Sequence, residues 1–147
     1  MYKNILIAVH GEESEGYWQK ISELLELIRP GVTILHVSET SLTHYGYVDQ
    51  LASAITKEQF INYIYNMAVE KQQSIFNKFQ ELAERSDWQF EWKLREGNPA
   101  QEIGRELESG AYDLLILGTK PKSPGNTSSK VKEKMLANLS TSLLIIK

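Results

Sequence analysis

An open, doubly wound α/β sheet of five parallel strands is the fold class this sequence predicts. Three observations carry that reading. The runs "NILIAV", "VTILHV", "DLLILG" and "SLLII" are close to unbroken apolarity, as strands buried on both faces of a parallel sheet are. Helix-spaced segments separate them. The resulting order, β-α-β-α-β-α-β-α-β, winds into one parallel sheet when every crossover is right-handed.

The elements follow in order. "NILIAV" spans residues 4–9 and ends at His10-Gly11. Trp18, Ile21, Leu25 and Ile28 recur at three and four, which places one helical face on residues 13–28. Pro30-Gly31 stops that helix, and residues 32–37 form the second strand. Residues 38–56 have no clean period, and a connection of that length is usually functional or a cover. A long helix over 57–85 turns Ile61, Ile64, Ala68, Ile75, Phe79 and Leu82 to one side. In "WQFEWKLREG", Trp88, Phe90, Trp92 and Leu94 alternate with Gln89, Glu91, Lys93 and Arg95, a strand with one buried face. Both tryptophans read as core. "NPAQ" starts a helix: Asn98 caps, Pro99 suits the first turn, Gln101 completes a capping-box-like pattern, and Gly110 ends it. "DLLILG" is the fourth strand. A basic loop, "GTKPKSPGNTSSK", leads to a helix over 129–138 and to the fifth strand, 142–146.

The chain has 147 residues, the usual size of one domain, here spanning 1–147. With 41% hydrophobic and 24% charged residues, its class is soluble globular. A net charge of −3 points to no nucleic acid. The absence of cysteine excludes disulfides and thiolate metal sites and fits a reducing cytoplasm. The N-terminal apolar run, Ile5 to Val9, is too short for a signal peptide or a membrane span, so the location is read as cytoplasmic, with no membrane anchor.

Several chemistries of such sheets are missing their residues. The chain lacks G-x-x-x-x-G-K-[ST], and "VHGEESEG" does not supply G-x-G-x-x-G. Strand one ends in His10 rather than in the clustered aspartates of a response regulator. No G-x-S-x-G elbow exists, and no carboxylate–histidine set stands out as an acid–base machine. No catalytic residue and no metal site is therefore assigned. His36 reads as a satisfied core histidine.

"YKNILIAVHGEES", "TILHV", "REGNPAQEIGRELESGAYDLLILGTK" and "KVKEKMLANLSTSLLIIK" together resemble the universal stress proteins over nearly the whole chain. The third stretch is the most specific, close to that family's G-x-P-x-x-x-I … D-L-[IV]-[VI]-[ML]-G. The resemblance implies a Rossmann-like sheet of the adenine nucleotide alpha hydrolase type, strand order 3-2-1-4-5. It implies ATP or AMP as ligand, and a homodimer through Leu143, Leu144, Ile145 and Ile146. Nucleotide-binding members carry G-x2-G-x9-G-[ST] after strand four. Gly118 matches the first glycine; Pro121 stands at the second, Ser129 at the third and Lys130 at the Ser/Thr position. His10 stands where the family has an aspartate. Pro121 has no N–H to give a phosphate, whereas Ser129 keeps one at a helix start. The implied contacts are Val9, His10, Val37, Gly118, Lys120, Ser129 and Lys130. They predict a stress-response domain that acts by binding and dimerising rather than by turnover, its nucleotide binding weak or lost. The alternative is an adenine-nucleotide-binding signalling protein with at most slow hydrolysis.

Overall fold

A computed structural model describes residues 2–28, 31–38, 54–118 and 140–147. In chain order the elements are β1 (Asn4–Val9), α1 (Glu15–Ile28), β2 (Gly31–Ser38), α2 (Ala54–Ser86), β3 (Phe90–Glu96), α3 (Pro99–Ser109), β4 (Leu114–Gly118) and β5 (Ser142–Ile146). The expected helix over 129–138, the loop before it and most of the 38–56 connection lie outside the described residues.

All four strand pairings are parallel and the order is β3-β2-β1-β4-β5. The central register is tied at its amino end. The Asp113 carboxylate accepts from the Lys3 and Asn4 N–H groups, and the Asn4 amide donates to the Ala111 carbonyl.

Alternation along β1 divides the core between the two faces. Ile5, Ile7 and Val9 meet Tyr17, Ile21 and Leu25 of α1 and Ile75, Phe79 and Leu82 of α2. Leu6 and Ala8 meet Leu35, Val37, Leu115 and Leu117 with Ala100 and Ile103 of α3. Trp88 is buried, and Trp92 packs against the first cluster, as expected of core tryptophans.

Two expectations need correction. The face of β3 that carries Lys93 and Arg95 is not left to water: both reach the buried Glu106 of α3. Leu94, assigned to the buried face, is 47% exposed on β3, an edge strand of the sheet. α2 has 33 residues and a length of about 50 Å at 1.5 Å per residue. Its Ile75, Phe79 and Leu82 lie against the sheet. Ile61, Ile64 and Ala68, on the same stripe, are only partly buried. The amino-terminal half therefore overhangs the carboxyl edge of the strands. No helix among the described residues is long and apolar enough to cross a membrane.

Candidate functional site

In open α/β sheets ligands bind outside the carboxyl ends of the strands, where the strand order reverses. Here that point lies between β1 and β4, since β1 leads to β2 on one side and pairs with β4 on the other. Ala8 pairs with Leu117, which sets Val9 and Gly118 side by side at the carboxyl edge.

The turn after β1 is built by Glu13. Its side chain is fully buried and bends back over the turn. The His10 N–H donates to Glu13 Oε2 at 3.0 Å, and the Gly11 N–H to Oε1 at 2.9 Å. Gly11 makes this possible with a φ of +99°, which strongly favours glycine. Ser14 then caps the helix, its hydroxyl accepting from the Tyr17 N–H. For that reason α1 begins at Glu15 rather than at residue 13.

The His10 ring is held through Nδ1. Nδ1 accepts from the Glu12 N–H at 3.0 Å, so the ring hydrogen sits on Nε2. Nε2 lies 2.9 Å from Glu13 Oε2, close but off the line of a hydrogen bond. With Nδ1 already occupied, His10 has no free lone pair for a general base. Burial alone would raise the Glu13 carboxyl, but contact with His10 and the two backbone N–H groups hold it below the ordinary carboxylate value.

Gly118 closes the crevice from the β4 side. A Cβ there would stand 3.0 Å from Glu13 Cγ and 3.0 Å from Tyr17 Cε2. Tyr17 is 1% exposed, and its hydroxyl has no partner among the described residues. Burial, with the Glu13 charge nearby, pushes the phenol well above its usual range. From α2, the Lys71 stem passes over Gly11, and its ammonium lies 3.9 Å from Glu12. One layer below, the His36 ring donates from Nδ1 to the Val9 carbonyl at 2.9 Å. Burial lowers the His36 value, so the ring is neutral, as a satisfied core histidine is.

Of the residues expected at the site, the structure brings Val9, His10 and Gly118 together. Val37 is on the other face of the sheet, packed with the α3 cluster; only its backbone is available to the crevice. Lys120, Ser129 and Lys130 lie outside the described residues. Glu13, Tyr17 and Lys71 were missed. Glu13 carried one signal: an acidic residue two positions after a strand-end glycine can reach back to the turn's N–H groups. Tyr17 and Lys71 carried none, since only folding brings them to Gly118 and Gly11.

A second polar group lies on the other face. Glu106, 1% exposed, accepts from Lys93 at 2.8 Å, from Arg95 Nη2 at 2.9 Å and from the Tyr112 hydroxyl at 2.8 Å. Burial alone would raise its carboxyl; the bonds from Lys93, Tyr112 and Arg95 overcome that and lower it to about 2. Arg95 and Arg105 also reach Glu102. Every charge in this group has an opposite partner, which marks it as a brace between β3 and α3.

A family model described as the universal stress protein family matches residues 1–147. Among curated proteins no relative matches. Among solved structures, the universal stress protein UspA of Lactobacillus plantarum is 17% identical, with a TM-score of 0.70 over 99% of this chain and 98% of that one. A universal stress protein family protein of Arabidopsis thaliana with AMP bound is 17% identical, TM-score 0.57, over 99% and 91%. The universal stress protein of Archaeoglobus fulgidus in complex with dAMP is 12% identical, TM-score 0.52, over 99% and 98%. At these identities the likeness bears on the fold.

Proposed function

Because the chain belongs to the universal stress protein family, we propose that it is a single-domain cytoplasmic stress-response protein that works by binding and dimerising, with adenine-nucleotide binding weak or lost. The observation that carries this reading is the filled crevice between β1 and β4. The turn amides that face it are taken by Glu13, and Tyr17 lies against Gly118. Pro121 and Lys130 remove a backbone donor and a hydroxyl where nucleotide-binding members use both. Each lost charge-assisted bond is worth on the order of 1.5–3 kcal/mol, so two weaken binding by a few powers of ten. Isothermal calorimetry with ATP tests this. We expect a dissociation constant weaker than about 10 μM, and a submicromolar constant would sink the reading.

The AMP and dAMP held by the two related structures favour a second reading, an ATP- or AMP-binding signalling protein with at most slow hydrolysis. In it Val9, His10, Val37, Gly118, Lys120, Ser129 and Lys130 would be the contacts. A nucleotide recovered with the purified protein, seen by mass spectrometry after denaturation, would favour it.

The dimer is supported by the contrast between the two sheet edges. β3 is blunted with Glu91, Lys93, Arg95 and Glu96, as soluble edge strands commonly are. β5 carries no charge, and Leu144 and Ile145 are each 37% exposed. A second copy pairing along β5 about a two-fold axis would cover both. Light scattering should give twice the chain mass, and Ile145→Lys should halve it. A single-chain mass for the unaltered protein would refute the dimer.

A further inference from the structure

We propose that Glu13 is an internal ligand in an oxyanion site, and that a phosphate or carboxylate group binds this crevice by taking its place. The inference rests on the reading above that Glu13 fills the crevice between β1 and β4. Consecutive amides of His10 and Gly11 grip the two oxygens of one carboxylate, which is how turn amides hold an external oxyanion. A carboxylate present only to brace the turn would be expected to leave no donors over.

Two donors are left over here, and they are the independent sign of a ligand. The Tyr17 hydroxyl is in a residue 1% exposed and has no partner among the described residues. Its ring meets the same point as the Glu13 stem: both come within 3.0 Å of where a Gly118 Cβ would be. His10 Nε2 is a buried atom, 2.9 Å from Glu13 Oε2 without the alignment of a hydrogen bond. Buried donors left unpaired are costly, so they select a ligand that supplies acceptors. The three groups placed against the Glu13 carboxylate, two amides and an imidazole N–H, are all donors, and the unpartnered Tyr17 phenol, whose ring lies by the Glu13 stem, is a further one. That set fits an oxyanion and not a cation. A phosphate, with more oxygens than a carboxylate and no stem fixing its position, can offer acceptors to more of these donors than Glu13 does. Lys71, with its stem over Gly11, adds a positive charge at the rim.

The test vacates the site. In Glu13→Ala, formate and inorganic phosphate, titrated at constant ionic strength against chloride, should raise the thermal midpoint; the unaltered protein, whose own carboxylate must first be displaced, should respond only at higher concentrations. The formate constant should be at least about tenfold tighter in Glu13→Ala, equivalent to about 1.4 kcal/mol. Adding Tyr17→Phe to that variant should weaken it severalfold. Equal responses of the variant and the unaltered protein overturn the proposal, as does an effect of Tyr17→Phe too small to measure. If Glu13→Ala does not fold, Glu13→Gln takes its place. Phosphate should then shift the His10 and Gly11 amide resonances, and unmoved resonances overturn the proposal. The two readings fail separately. Tight ATP binding by the unaltered protein removes the functional reading, whereas an absent anion response in the variants removes the internal ligand.

Discussion

Replacing Glu106 with glutamine should cost about 3 kcal/mol at pH 7, and the cost should shrink in acid. The carboxyl is lowered to about 2 from its ordinary 4.5. That gap corresponds to about 3 kcal/mol of stability carried by the ionised form. The sign is fixed by the direction of the shift. A lowered folded value gives stability that is whole above about pH 4.5 and is lost as the pH falls towards 2. Breaking a fully buried pair costs about 3–5 kcal/mol. Lys93 and Arg95 are 42% and 29% exposed and can turn to water, which keeps the cost at the lower end. For a chain of this length the thermal midpoint should drop by roughly 6–12 °C. Urea unfolding followed by circular dichroism at pH 7 and pH 3 is the assay. The difference between the two proteins should fall from about 3 to about 1.5 kcal/mol between those pH values. A variant within about 1 kcal/mol of the unaltered protein at pH 7, or a difference that does not change with pH, would refute the reasoning.

Other outcomes follow from single contacts. Tyr17→Phe removes a buried hydroxyl with no partner among the described residues; chemical denaturation should find it neutral or stabilising by up to about 1 kcal/mol, and a loss above that would reveal a bond the hydroxyl makes. Asn98→Ala removes the side chain that accepts from the Gln101 N–H at the start of α3 and should cost about 1 kcal/mol by the same measurement. Gly118→Ala puts a methyl 3.0 Å from Glu13 Cγ and from a ring with no room to turn, so the midpoint should fall by an amount equal to about 1–3 kcal/mol.

Much of the fold was legible because it depends on short-range patterns. The apolar runs, the Pro30-Gly31 stop and the Asn98-Pro99 start name their elements without knowledge of the neighbours. The start of α1 was misread by two residues. Glu13 has the composition of a first helical turn, but its carboxylate is worth more on the His10 and Gly11 amides. The end of β3 was misread for a different reason. Alternation states which side chains share a face, but not whether a helix lies over that face at each level, and Leu94 is left exposed. Of the site, only the strand-end positions could be read, because position in a crossover unit is a property of sequence order.

By itself the sequence determined the class of fold, the identity of the strands and the departure from the nucleotide-binding glycine pattern. Each is written in residue types and spacings along one stretch of chain, and local periodicity and backbone freedom act on such stretches directly. Tertiary structure alone decided what fills the crevice. Glu13 and Gly118 are far apart in sequence, as are Tyr17 and Gly118, and Lys71 and Gly11. They meet because parallel pairing of β1 with β4 aligns two strand ends and because α2 crosses the edge of β1. The same holds for Glu106 of α3, which meets its partners only because β3 lays Lys93 and Arg95 against it. A buried carboxylate is stable only with partners, and those partners come from a different element of the fold.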